Sequence, residues 1–379
     1  MSAITLNGAT SGQVTLQPPA IAGTTTLTLP TSNGTVINTA GGQTISGTTT
    51  LGTMSATNAQ VTQGLTNATY LSPFASGYRN RIINGNMMIA QRGTSFSNPA
   101  SSASYGSLDR WGTYNSGSAI TYAQVAGPTG YRYALQATGA TGNTQTELFQ
   151  RIESYNCSDL SGQTITIQAN ISASSAQTVG WSLLYCNTQD TFSSTTNISV
   201  GTWSVTTTAA TFTATITGLP SGATNGLELR FYPQNGGAFT SGTITITGVQ
   251  LELGSVATPF EVRSVGTELA LCQRYFWQSQ NLTGTYTLFG SGVYNSSTQA
   301  SIVTFFPQPM RVAPTFNSSS ISTFYILPSG TLTSIGVYQV WSTCARLDLN
   351  SSSTLTLGYA YALSANNTTA AWISFSAEL

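Results

Sequence analysis

The chain has 379 residues, zero net charge and 6% charged residues, against about 25% in ordinary globular domains. It has no His and no Lys, all 11 basic residues being Arg, which excludes Ser-His-Asp and Cys-His catalysis, Schiff-base chemistry and a P-loop. Zero net charge gives no electrostatic ground for binding nucleic acid or anionic lipid. No run approaches the ~18 apolar residues of a membrane span, and no basic stretch followed by an apolar one marks a secretory signal.

What remains is rich in Thr, Val, Ile, Tyr and Phe, which favour strands, so the expected class is all-β. Lys-poor edges leave β-sheets open to edge pairing, and an oligomer would bury them. Cys157, Cys186, Cys272 and Cys344 lie far apart with no CxxC spacing. Without His they suggest no zinc site, and they read as isolated buried thiols.

Residues 1–55 hold no charged side chain. Val14 and Leu16, then Leu27 and Leu29, alternate with Thr and Gln between Gly- and Pro-containing turns, predicting short strands. The phrases SGQVTLQPP, GTTTLTLP, NGTVI and GGQTISGTTTLGT look like loose copies of one unit. One copy cannot bury a core alone, but three chains wound together could. Residues 56–79 form a linker with a short helix capped by Thr57 or Asn58 and a break at Pro73.

Residues 80–265 predict a β-sandwich of jelly-roll type. Its strand candidates include Tyr131 to Ala137, Thr164 to Ile171, Val179 to Tyr185, Ala210 to Thr217, Leu227 to Tyr232 and Thr243 to Leu253. Residues 266–278 predict a connecting helix with Thr267 as N-cap and Glu268 in its first turn. Leu269, Cys272 and Phe276 fall on one face of it. That face could pack on a neighbouring domain or form a threefold seam. Residues 279–379 predict a second β module, a tip domain punctuated by Pro307, Pro309 and Pro314.

Several phrases resemble those of bacteriophage tail-fibre and receptor-binding virion proteins with a jelly-roll, carbohydrate-binding-module-like central domain. They are Ala56-Thr57 through Tyr70 and Pro73, then RIINGNMMIAQRGTSF with SLDRW, LFQRIES with DLSGQTITIQANISA, and TGVQLELGSVATPFEVRSVGTELALCQRYF. FPQPMRVAPTF and the closing AWISFSAEL, with Ser376 in place of the Asp of a D-A-E-L tail, also resemble phrases of fibre tips. Ala90 stands where that pattern commonly has Trp. The resemblance implies a homotrimer on a virion, most plainly in the tail. Its N-terminal segment would attach to other tail or baseplate proteins, and its C-terminal domains would adhere to host polysaccharide or lipopolysaccharide. A purely architectural part, such as a head fibre, decoration or baseplate spacer, is the alternative, and a capsule-degrading enzyme with paired carboxylates a further one.

The expected function is binding without catalysis. Sugar rings stack on aromatic faces while amides and hydroxyls read their hydroxyl groups. The glycan-binding candidates are Tyr286, Tyr294, Tyr325, Tyr338, Trp341 and Tyr359 in the last module, with Trp203 and Tyr131 in the middle one. Trp111 and Trp181 read as core. Asp109-Arg110 and Glu261-Arg263 suggest salt bridges at strand ends. No cofactor is expected. No dense acidic loop calls for calcium, although sandwiches of this type often hold a structural ion.

Overall fold

The computed structural model describes residues 4–7, 13–16, 78–98, 102–106, 108–280, 286–328 and 330–379. Most of the N-terminal repeats, and the short helix expected within 56–79, lie outside the described residues. In the unit formed by residues 1–65, β1 (Ile4–Asn7) pairs antiparallel with β2 (Gln13–Leu16), the strand expected at Val14 and Leu16.

The second unit, residues 66–379, begins with twelve strands. These are β3 (Ser95–Asn98), β4 (Ser102–Ser104), β5 (Gly112–Gly117), β6 (Ile120–Ala126), β7 (Tyr133–Thr138), β8 (Asn143–Ile152), β9 (Ile165–Ala173), β10 (Gln177–Thr188), β11 (Thr191–Val205), β12 (Ala210–Ile216), β13 (Leu227–Tyr232) and β14 (Thr243–Leu253). They form two six-stranded antiparallel sheets, ordered β11-β10-β13-β8-β5-β4 and β12-β9-β14-β7-β6-β3. The chain crosses repeatedly between them. Alternation explains the core: Ile165, Ile167, Ala169 and Ile171 of β9 meet Leu227, Leu229 and Phe231 of β13, all buried. Each such Ile, Leu or Phe side chain contributes about 1.5–3 kcal/mol.

In β14 the inward parity changes, from Ile244 and Ile246 to Val249 and Leu251. A bulge between Thr247 and Gln250 inserts the extra residue. Gly248 occupies it at φ +59°, and a Cβ there would stand 2.5 Å from the Tyr131 hydroxyl. The bulge needs glycine on both counts. Trp111 and Trp181 are core residues as expected, at 0% and 7% exposure.

Helix α1 (Val265–Gln273) follows. Its cap is Ser264, not the expected Thr267; the Ser264 side chain accepts from the Thr267 N–H. The helix also ends before the expected 278. Phe276 opens strand β15 (Phe276–Gln280) and pairs with Ser376, so inter-strand bonding replaces the last helical turn. Cys272 joins Ile83, Ile89 and Tyr275 in a small core, with Leu269 and Leu271 packed against it. This seats the helix on the loop that leads into the sandwich.

The last module continues with β16 (Leu288–Ser296), β17 (Gln299–Phe305), β18 (Thr315–Ser318), β19 (Phe324–Leu327), β20 (Leu332–Val340), β21 (Cys344–Ser351), β22 (Ala360–Ala365) and β23 (Trp372–Ser376). A three-stranded sheet, β15-β23-β18, faces a six-stranded one, β19-β22-β16-β17-β21-β20. Between them Phe375 packs on Trp277 and Phe306, with ring centroids at 5.8 and 4.7 Å. No helix among the described residues is long and apolar enough to cross a membrane.

The few charges mostly serve as internal struts. Ten of the eleven carboxylates pair with an arginine, and Asp190 accepts from the Ser154 N–H at 2.7 Å. Glu261 and Arg263 pair at 3.4 Å as expected. Asp109 and Arg110 do not pair with each other: Arg92 lies 3.9 Å from Asp109, and Arg110 binds Glu378.

Candidate functional site: a cleft between the sandwich and the C-terminal sheet

Strict alternation on β23 divides its side chains. Ile373 and Phe375 enter the core at 0% exposure, so Trp372, Ser374 and Ser376 face the other way. Antiparallel register extends this polar face across the sheet. Ser376 stands between Phe276 and Thr315, Ser374 stands between Gln278 and Asn317, and Trp372 pairs with Gln280. This face forms one wall of a cleft of about 660 Å³, within the size range of ligand pockets.

The opposite wall comes from the sandwich: Phe96 of β3, Ala103 and Ser104 of β4, and Tyr105 and Gly106 beyond it. A Cβ on Gly106 would lie 2.4 Å from the Phe96 ring, so glycine lets the ring lie against the backbone. Arg92 closes one side. Its guanidinium sits 3.5 Å from the centroid of Phe276 and donates to Glu378 Oε1 at 3.1 Å. Its charge is thus engaged from behind. What faces the opening is aromatic surface, two side-chain amides and several hydroxyls.

Behind this wall, Asp109 is fully buried. It accepts from the Gln91 backbone N–H at 2.9 Å and from the Gln91 side-chain amide, which also donates to the Phe276 carbonyl at 2.8 Å. Burial pushes the Asp109 carboxyl up to about 6, with Arg92 and Gln91 opposing the shift. Burial also raises the Tyr105 hydroxyl, helped by Glu378.

A second groove, of about 340 Å³, runs over the outer face of the β4-β5-β8-β13 sheet. There Arg230 lies 3.4 Å from Glu147 and also binds Glu228, whose other oxygen takes Arg151 Nε at 2.6 Å. Tyr114 and Gln145 flank this ladder. Burial raises the Glu147 carboxyl, with Arg230 opposing. No group of three or more acidic or cysteine side chains among the described residues could hold a metal ion.

None of the residues singled out from the sequence for glycan binding lines the cleft. Trp203 is 8% exposed, stacked on Phe212 and tilted against Trp181 and Phe231, so its ring faces are covered. Tyr131 is half-buried, edge-on to Phe260. Tyr294 is half-buried against the C-terminal core. Tyr325 and Tyr338 lie on β19 and β20, at opposite edges of the six-stranded sheet. Trp341 is exposed just after β20, and Tyr286 and Tyr359 are exposed in the segments leading into β16 and β22. Of the three proposed seam residues, Cys272 and Phe276 are buried within the chain and Leu269 is half-buried. The cleft residues missed include Phe96, Gln278, Thr315, Asn317, Trp372 and Ser374. The W-I-S-F-S alternation already places Trp372 opposite Ile373 and Phe375, and that signal could have found it.

No family model matches the chain, and no curated protein matches it. Solved structures of similar fold cover a little under half of it. One is described as "CBM4 structure and function", at 21% identity over 45% of this chain and 97% of that one, with a TM-score of 0.30. Another is the enzymatically active domain of bacteriophage CBA120 tailspike protein 4, at 16% identity over 46% of this chain and 21% of that one, with a TM-score of 0.32. A third is the CBM22-1 xylan-binding domain of Paenibacillus barcinonensis Xyn10C, at 10% identity over 47% and 96%, with a TM-score of 0.31. The likeness is distant and is one of fold.

Proposed function

We propose that this chain is a non-enzymatic fibre protein of a bacteriophage tail that adheres to a host-surface glycan. In this reading the glycan sits in the cleft between the sandwich and the C-terminal sheet. The lining of that cleft carries the proposal: Trp372 and Phe96 offer apolar ring faces, while Gln278, Asn317, Thr315 and Ser374 offer neutral donors and acceptors. Such a surface suits a sugar, which presents C–H faces and hydroxyls together. The ordered phrases along residues 81–277 support the virion setting, with the N-terminal segment as the attachment part and copies of the chain assembled into the fibre. The carboxylate ladder at Glu147 and Glu228 favours binding over hydrolysis, because Glu228 has both oxygens engaged by arginine.

The test is retention of the full chain on an array of bacterial surface polysaccharides, alongside Trp372→Ala and Asn317→Ala. Binding to at least one glycan that both variants lose by about tenfold, roughly 1.4 kcal/mol, is the expected result. A chain that binds no glycan, or whose variants bind as well as it does, refutes the cleft as the site. Release of reducing ends from the bound polysaccharide would refute the non-enzymatic reading.

A further inference from the structure

The six-stranded sheet of the last module carries apolar side chains on its outer face as well as on its core face. On β17, Ala300 and Ile302 point into the core at 0% exposure, while Val303 and Phe305 point outward at 39% and 74%. The outward set continues on neighbouring strands with Leu288 at 57%, Val293 at 65% and Tyr338 at 61%. Register ties them together. Val293 lies between Ala360 and Ser301, and Val303 lies between Ser291 and Arg346. A sheet with one solvated face normally alternates apolar with polar residues. Here Leu288, Val293, Val303 and Phe305 break that pattern at exposed positions, among outward Ser291, Ser301, Arg346 and Asp348.

We propose that a second copy of this chain covers the outer face of the six-stranded sheet, with Leu288, Val293, Val303 and Phe305 at the centre of the contact. The area fits. With about 200 Å² for a whole large side chain, these residues and Tyr338 expose on the order of 600 Å². That approaches the ~800 Å² each partner contributes to a standard interface and matches the largest apolar patches of monomers, which are often functional. The charge pattern fits as well. The charged side chains on the face, Arg346 and Asp348, pair at 3.5 Å; Ser301 donates to Asp348 at 2.6 Å, and Arg346 lies 3.9 Å over the Tyr338 ring. The face carries no net charge, so two copies can meet without unpaired like charges between them. It also replaces the helical seam, whose Cys272 and Phe276 are already covered within the chain.

The chain has its own reporter. Cys344 pairs with Phe305 across β17 and β21 and is half-exposed, whereas Cys157, Cys186 and Cys272 are buried. The experiment measures sedimentation of the full chain over a concentration series and, in the same samples, the rate at which a maleimide labels Cys344. The expected result is an assembly in which labelling slows by at least about tenfold, the slowing growing with concentration by mass action. Phe305→Glu and Val293→Glu should return both readouts to the monomer values, and Val262→Glu, at an exposed site on another module, should change neither. This inference rests on the self-assembling fibre reading, and the outcomes separate the two. A chain that stays monomeric overturns both. An assembly that leaves Cys344 open, or that survives both substitutions, overturns this surface alone. Protection of Cys344 that does not depend on concentration also overturns it.

Discussion

Arg110 and Glu378 form an ion pair with almost no solvent contact, the two side chains being 1% and 7% exposed. They are 268 residues apart. Arg110 stacks on Tyr275, with its guanidinium 3.5 Å from the ring centroid. Glu378 also accepts from Arg92, the Ala377 N–H donates to the Tyr275 carbonyl at 2.7 Å, and Arg311 Nε donates to the Ala377 carbonyl at 2.9 Å. The last described residues are thereby bound onto the sandwich, directly behind the cleft.

Removing one partner of such a pair leaves a buried charge uncompensated. Glu378→Ala should therefore lower stability by about 3–5 kcal/mol, read as a drop in the urea midpoint of the full chain. A loss below about 1 kcal/mol would mean that solvent reaches Arg110 readily and that the α1 cluster holds the modules together.

Asp109 makes stability depend on pH in an unusual direction for a carboxylate. Its folded value, about 6, lies above the ordinary carboxyl value of 3.8, so the folded state binds the proton more tightly. This contribution is fully present below the unfolded value and is lost as pH rises through the folded one. The raised value corresponds to roughly 2–3 kcal/mol at most. From about pH 4 to about pH 7, the melting temperature of the natural chain should fall relative to that of Asp109→Asn, in which this titration is absent. Parallel profiles for the two proteins would show that Asp109 does not titrate in this window.

Trp203 and Trp372 should separate packing from binding. Trp203 stacks on Phe212 at 5.8 Å within the sandwich core. Trp203→Ala should cost about 3–5 kcal/mol in chemical denaturation while the folded fraction still binds glycan. Trp372 stands on the polar face of its sheet. Trp372→Ala should change stability by less than about 1 kcal/mol and weaken retention on the polysaccharide about tenfold. The reverse pattern would exchange their roles.

Gly248 tests the bulge of β14. Gly248→Ala places a methyl group at φ +59° and against the Tyr131 hydroxyl. A loss of at least about 1–2 kcal/mol is expected, with the melting temperature as readout. Tyr131→Phe in the same background should recover part of it. No recovery would assign the cost to the backbone alone.

Much of the fold could be read from residue pattern. Leu227–Tyr232 and Thr243–Leu253 are strands at the very bounds expected from the sequence. β11, fifteen residues long, has a weak strand signal because most of its outward positions are Thr, Ser and Asn, its outward Val200 is apolar, and its inward positions include Gly201. Period-two contrast is weak there, and a Cβ on Gly201 would lie 2.5 Å from the Trp181 ring. β15 was hidden inside a helical pattern. Phe276 satisfies an i+7 spacing as well as it satisfies a strand, and only pairing with β23 decides between them.

The sequence by itself determined that this is a mostly β chain with few charges, without His or Lys, and with tryptophans 111 and 181 in its core. Those properties follow from residue type and from periodicity within a few neighbours. The tertiary structure alone decided where a ligand could sit and which arginine meets which acid. The cleft joins Phe96 to Trp372, and the strut joins Arg110 to Glu378, across hundreds of residues. Aromatics are as common in cores as in sugar sites, so composition could not tell Trp203 from Trp372. The difference lies in which face of a strand is covered, and that is set by the sheet packed against it.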